Sequence, residues 1–301
     1  MLYTAPLSDL ISSHSVTPHS YSDDTQLQKS DVPSRANELV QSMEACVSDV
    51  KSWMTTNKLK LNDEKTEVLL VSSSRLSVSN PLPVSLVVGN TTIQFSSSAK
   101  NLGVVLDMNM TMQAQVANVI RSVNFELRRI SGIRHFLSTE ATKTLVSAFI
   151  LSRLDYCNSL LVNCPQKLTK RLQKIQNSAA RLVLRVPRSD HMTPHLHTLH
   201  WLPIQARIKY KIACMSFQAI HATGPAYLSE LVQLYTPART LRSSSDTYTL
   251  CTPGISERSF GDRSFYLAAP AIWNSLPLSV RSVENYSSFR SVLKTHLFRK
   301  E

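Results

Sequence analysis

The sequence predicts an α+β protein, and three observations carry that reading. Short β-branched runs crowd residues 67–106. From Asp107 onward the apolar residues recur with the 3.6-residue period of helices. Only six glycines occur in 301 residues, and they form neither the dinucleotide-binding fingerprint nor a P-loop, which argues against the Gly-rich nucleotide folds.

The elements follow in order. Residues 5–14 place Leu7, Leu10 and Ile11 on one face of a short helix. A short polar hairpin follows around SVTPHSYSDDTQLQKS. Residues 36–57 carry Leu39, Met43, Cys46, Val47, Val50 and the Trp53-Met54 pair at helical spacing. Residues 67–71, 84–88 and 91–95 read as strands, the last two joined through Gly89-Asn90 as a hairpin, and 102–106 reads as one more strand. Helices are predicted over 110–136, 139–152, 165–187, 204–222 and 225–233, punctuated by Pro165 and Gly224-Pro225. Residues 236–258 are rich in Ser, Thr and Pro and read as an irregular linker with one strand; 260–274 and 285–299 read as closing helices. These shifts divide the chain into regions 1–108, 109–235 and 236–301.

Charge is unevenly placed. The chain has 33 Lys and Arg against 21 Asp and Glu, a formal charge of +12. Residues 1–100 hold 8 basic and 10 acidic side chains, and 101–301 hold 25 and 11. An acidic first third beside a basic remainder suggests metal or catalytic carboxylates next to a polyanion-binding body. Five scattered cysteines without CxxC spacing fit a reduced, intracellular setting, nuclear or cytoplasmic. No apolar run approaches the ~18–20 residues of a membrane span, and residues 1–15 lack the basic and long apolar regions of a signal peptide.

The sharpest motif is Tyr21-Ser22-Asp23-Asp24-Thr25-Gln26-Leu27. Neighbouring side chains in a strand face opposite ways, but at a tight turn two carboxylates can lean toward one ion. Carboxylates held that close repel and favour a divalent cation, and Mg²⁺ prefers hard oxygen ligands. Adjacent aspartates in turns are also common as plain solvated residues.

This motif resembles the Tyr-x-Asp-Asp hairpin of reverse transcriptases, and most closely that of the non-LTR (LINE-type, jockey-like) retrotransposon polymerases. Further blocks resemble the same family in the same order. Trp53-Met54 through Asn57-Lys58-Leu59-Lys60-Leu61-Asn62-Asp63-Glu64-Lys65-Thr66-Glu67 resembles its Trp–Asn–Lys-Thr-Glu block, and Asn101-Leu102-Gly103-Val104 its primer-grip segment. Residues 152–160 (SRLDYCNSL), 199–203 (LHWLP) and 273–277 (WNSLP) resemble blocks downstream of the palm. The resemblance implies the later half of a polymerase palm up to about Asp107, followed by a mainly helical thumb and extension. It implies that Asp23 and Asp24 bind catalytic Mg²⁺ and that Lys65 approaches the triphosphate. Tyr21, Leu102, Gly103 and Val104 would contact substrate and primer.

Complete relatives carry fingers and an earlier palm half, with another metal-binding Asp, ahead of this hairpin. Residues 1–7 resemble the segment just after that half. The expectation is therefore a truncated RNA-directed DNA polymerase that is inactive alone, because two-ion chemistry lacks a ligand, unless a missing upstream half acts in trans. Its expected partners are an RNA template with a DNA primer, or an RNA–DNA duplex, with Mg²⁺ as cofactor. The alternatives are a non-enzymatic RNA- or DNA-binding protein and a non-functional retroelement remnant.

Residues 165–188 are the leading nucleic-acid candidate. Lys167, Lys174, Arg181 and Arg188 recur every seven residues with Lys170, Arg171 and Arg185 beside them, and seven helical residues drift by only about 20°. Leu168, Leu172, Ile175, Ala179 and Leu182 fall on another face. No base-reading Asn/Gln set is evident, so shape and charge are expected to drive binding. Arg121, Arg128, Arg129 and Arg134 form a second cluster. A zinc site from Cys157, Cys164, His191, His195, His197 and His200 is disfavoured by the wide C-x6-C spacing and by Pro194, which argues against a helix joining His191 to His195. Trp201 and Trp273 read as packing anchors, and Asp63, Glu64 and Glu67 as a solvated turn.

Overall fold

The computed structural model describes residues 5–62, 65–72, 83–88, 91–236, 248–254 and 260–299. Residues 1–4 of the N-terminal block, Asp63, Glu64, the Gly89-Asn90 turn, and 237–247 and 255–259 of the Ser/Thr/Pro-rich stretch lie outside them. The chain forms two compact units, Met1–Met110 and Thr111–Glu301, and is α+β with small antiparallel ladders.

In the first unit, α1 (Ala5–Ser13) buries Leu7 and Ile11 against Val16 and against Cys46 and Val50 of α2 (Ala36–Thr56). Leu10, Leu27, Met43, Trp53 and Met54 close this small core. The stop of α2 explains part of the Trp–Asn block. The backbone N–H and the Nδ2 of Asn57 both donate to the Trp53 carbonyl, at 3.0 and 2.8 Å. Lys58 turns left-handed (φ 60°), so the Leu59 N–H reaches the Met54 carbonyl at 2.8 Å. This is a helix C-cap built without glycine.

Three two-stranded ladders follow, and among the described residues they do not merge into one sheet. β1 (Thr17–Tyr21) pairs with β2 (Asp24–Gln28), β3 (Ser85–Val88) with β4 (Thr91–Gln94), and β5 (Ser98–Asn101) with β6 (Val104–Asp107), each antiparallel. The strand expected over 67–71 is reduced to one parallel bridge, Val68 to Phe95, with the Ser96 N–H on the Val68 carbonyl at 2.8 Å. β5 was not expected, since Ser-Ala-Lys-Asn is poor in strand formers. It is a strand because the Leu102-Gly103 turn (φ 44° and 83°) folds it back on β6.

The second unit is helical. α3 (Gln113–Ile133) starts later than predicted because Met110 and Met112 are left-handed, and it ends in a 3₁₀ turn, Arg134–Phe136. α4 (Thr139–Val146) is capped by the Ser138 hydroxyl and continues through a π-turn, Ser147–Leu151, into α5 (Ser152–Asp155). Then come α6 (Gln166–Leu184), α7 (Met192–Thr198), α8 (Ile204–Ile220), α9 (Ala226–Ser229), α10 (Phe265–Asn274), α11 (Leu278–Arg281) and α12 (Tyr286–Arg299). The helix expected over 225–233 shrinks to α9, after which Leu234 pairs with Leu250. α7 forms despite Pro194, which is its third residue, where the backbone N–H would have no partner within the helix.

α6 is the hub. Leu168, Leu172, Ala179, Ala180 and Val183 point inward, and the helix packs on α3, α4, α7 and α8. Farther along, Phe217 of α8 stacks on Phe289 of α12 with ring centroids 4.5 Å apart, and Trp273 of α10 lies 5.6 Å from Phe289.

The sequence blocks at 152–160, 199–203 and 273–277 act as clasps. Arg153 reaches α3, pairing with the buried Glu126 at 3.1 Å and donating to the Ser122 hydroxyl at 2.6 Å. Asp155 accepts from Arg207 of α8 at 2.6 Å, and Arg207 also donates to the Leu202 carbonyl at 2.7 Å. The fully buried Gln176 donates to the same carbonyl at 2.8 Å. Trp201 and Trp273 are both buried, and the Trp273 indole donates to the Tyr248 carbonyl at 2.7 Å. Asn274 bonds both backbone groups of the buried Leu250 at 2.9 Å, standing in for a strand neighbour. An Asn274→Ala variant leaves that N–H and C=O unpaired and is expected to lose about 1–3 kcal/mol, measured by urea denaturation.

Candidate nucleic-acid interface

The aspartates sit at the tip of the β1–β2 hairpin. Tyr21 and Asp24 form the last cross-strand pair, so Ser22 and Asp23 are the turn. Ser22 is left-handed (φ 58°), a conformation that costs a non-glycine residue about 1–2 kcal/mol. Tyr21, Asp23 and Asp24 are exposed, and among the described residues neither carboxylate has a hydrogen-bond or ion-pair partner. The strands themselves are almost wholly solvated, with only Pro18 and Leu27 half-buried.

One contact joins two of the sequence blocks. Asn101, which opens the primer-grip-like segment, donates from Nδ2 to the Gln26 Oε1 at 2.9 Å. The turn holding Leu102 and Gly103 is thereby tied to the strand that follows the aspartates. Leu102 and Gly103 are exposed and Val104 is buried. The Glu67 carboxylate accepts from the Lys100 N–H at 3.2 Å, so Glu67 is a tether here as well as an exposed residue. Lys65 is exposed in a turn closed by its N–H on the Asn62 carbonyl, and among the described residues it forms no pair with Asp23 or Asp24.

Two carboxylates suit Mg²⁺ as a partial ligand set. Such an ion takes six oxygens, commonly one or two carboxylates with substrate phosphates and water. Among the described residues no three His, Cys, Asp or Glu side chains group closely enough to hold a metal ion. His195 instead pairs with Asp190 at 3.3 Å, Cys164 is buried, and His191, His197 and His200 are exposed.

The basic stripe of α6 lies opposite its buried face. Lys167, Lys170, Arg171 and Lys174 are exposed, as is Arg188 beyond the helix, and among the described residues none has a side-chain partner. Arg181 folds back on the carbonyls of Pro187, Arg188 and Asp190 at 3.2–3.4 Å. Arg185 is exposed but donates to the Arg134 carbonyl at 3.2 Å. Among the described residues, five of the seven cations are thus unengaged. Beside the stripe runs a groove of about 480 Å³, lined along α6 by Gln166, Lys170, Gln173, Asn177 and Arg181. This brings amides together that the sequence reading did not connect. Most are spent on the fold: Gln173 bonds Gln176, Asn177 and the Ile204 N–H, and Gln205 donates to the Thr169 hydroxyl.

The second cluster is corrected by the fold. Arg121, Arg128 and Arg129 are exposed, but Arg134 is buried. Its guanidinium donates to the carbonyls of Leu182, Val183 and Leu137, each at 2.8 Å. Two of those carbonyls belong to the last turn of α6, where a cation also meets the negative end of the helix dipole. Burial, with the nearby Arg185 second, lowers the pKa of Arg134 from the ordinary arginine value. Nothing in the sequence separates Arg134 from its neighbours; only the position of the α6 C-terminus does.

Among the described residues no helix is long and apolar enough to cross a membrane. Compared with family models, with curated proteins and with solved structures, the chain finds no match in any of the three.

Arg134→Lys keeps the charge but loses the planar fork that serves three carbonyls. It is expected to cost about 1–3 kcal/mol in urea denaturation. Gly132 sits late in α3 with nothing within 4 Å of where a Cβ would stand. Gly132→Ala is expected to raise stability by about 0.5–1 kcal/mol, read by thermal or urea unfolding.

Proposed function

We propose that the chain is the later palm half, thumb and extension of a LINE-type reverse transcriptase, which by itself binds a primer–template without extending it. The observation that carries the lineage is the exposed Asp23-Asp24 turn, tied through Gln26 and Asn101 to the hairpin bearing Leu102 and Gly103. In this reading Asp23 and Asp24 supply hard oxygens to Mg²⁺, which in such enzymes activates the attacking hydroxyl and stabilises the leaving oxygen. The protein's own contribution is positional. The strained turn presents both carboxylates to solvent, and the Gln26–Asn101 bond keeps the primer-side turn next to them.

Binding is assigned to α6. Each unengaged cation that meets a phosphate releases condensed counterions. Its partners are an RNA template with a DNA primer, or an RNA–DNA duplex. A second reading, a non-enzymatic nucleic-acid-binding module, is favoured by the absence of a third carboxylate grouped with Asp23 and Asp24 among the described residues.

Two outcomes are expected. For an RNA–DNA duplex, log affinity against log salt should fall with a slope of about −4.5, from five phosphate contacts at about −0.9 each. Lys170→Ala, Arg171→Ala and Lys174→Ala together should bring it to about −2; a flat profile removes α6 from binding. In primer extension on an RNA template with Mg²⁺ or Mn²⁺, the chain alone should incorporate nothing. Supplied in trans with the upstream palm half of a complete enzyme of this class, it should extend the primer, and Asp23→Ala should abolish that activity. Extension that Asp23→Ala leaves intact contradicts the lineage.

A further inference from the structure

α3 presents a face that the packing of the second unit does not use. Arg121, Phe125, Arg128, Gly132 and Phe136 follow one another at intervals of three or four residues, which on a helix makes one line. Phe125 is 56% exposed and Phe136 80%. Arg129 lies over the Phe125 ring at 5.6 Å, and His135 braces Phe136 with ring centroids 3.8 Å apart. Between the two phenylalanines stands Gly132, which leaves open space where a side chain would be. Among the described residues the fold gives no packing reason for a glycine there, nor for two solvated aromatic rings.

We propose that this face binds unpaired nucleotides of a single strand, with bases stacked on Phe125 and Phe136, backbone phosphates on Arg121, Arg128 and Arg129, and the Gly132 notch admitting the chain between them. Charge complementarity selects the occupant: arginines interleaved with exposed rings match a polyanion that carries π-faces. A duplex hides those faces, so the rings add nothing to duplex binding. The two phenylalanines stand about 16 Å apart at 1.5 Å per residue, far enough to engage separate bases. The second unit also carries the basic stripe of α6, the helix whose end Arg134 caps. The inference thus rests on the nucleic-acid reading of α6 and adds a separate single-strand subsite.

The test measures fluorescence anisotropy of a short unstructured RNA, the DNA of the same sequence, and an RNA–DNA duplex against the full chain. Phe125→Leu with Phe136→Leu keeps apolar bulk and removes the π-faces. It should weaken both single strands at least tenfold and leave the duplex within about twofold. Phe125→Tyr with Phe136→Tyr should restore single-strand affinity, and Gly132→Leu should weaken it by filling the notch. Single-strand affinity unchanged in the leucine variant overturns the inference, as does equal loss on duplex and single strands. Loss of anionic-vesicle binding with single-strand binding intact overturns it in favour of a membrane surface. A wild-type chain that binds duplex but no single strand sinks the inference alone, whereas one that binds neither sinks the proposed function with it.

Discussion

Arg134 donates three hydrogen bonds to carbonyls at the junction of two helices, and the basic surface takes its shape from that contact. Taking a guanidinium out of water costs several kcal/mol. Three charge-assisted bonds, at about 1.5–3 kcal/mol each, and the dipole of α6 offset that cost. The result is directional in a way that apolar packing is not. The end of α3 must meet the end of α6 with carbonyls and guanidinium in register, and Arg185 fastens the joint from the other side through the Arg134 carbonyl. Apolar packing is non-directional, whereas the planar fork fixes both distance and angle.

Legibility in the sequence followed the range of the interactions. α1, α2 and α6 could be read because an amphipathic stripe is a local property of one segment. The Asp23-Asp24 hairpin could be read for the same reason, since its register is set by its own turn. Residues 68–71 are apolar, yet strand formation needs a neighbour, and among the described residues their one ladder bridge is Val68 to Phe95. Ser98–Asn101 errs in the opposite sense, with weak propensity overridden by a good partner across a tight turn. Among the site residues, Lys167, Lys170, Arg171 and Lys174 are as exposed as their spacing implies. Arg134, Arg181 and Arg185 look identical to them in sequence and differ only in the carbonyls that the fold places within reach.

The open hairpin has a physical consequence for chemistry. A two-stranded ribbon solvated on both faces is marginal by itself, and here it is held by Leu27 in the small core and by the Gln26–Asn101 bond. Among the described residues neither ladder edge is paired, so a further strand laid against β1 or β2 would add backbone bonds and shield the turn. It would also bring whatever side chains it carries beside Asp23. In the proposed reading, catalytic competence and local stability would then rise together, because the same strand would satisfy the edges and add to the ligand set.

The proposed nucleic-acid binding would obey a different constraint. Counterion release depends on how many cations face solvent, and on α6 that number is set by the helix period and by the buried face on the far side. The packing of α6 on α3, α4, α7 and α8 lies within the second unit. Loss of geometry at the aspartate turn therefore leaves the stripe intact, whereas loosening the α3–α6 joint would swing one basic helix face away from the other. In the proposed reading, binding would be the robust property and catalysis the fragile one, because the first needs only a correctly buried helix and the second needs carboxylates from separate strands within one ion's reach.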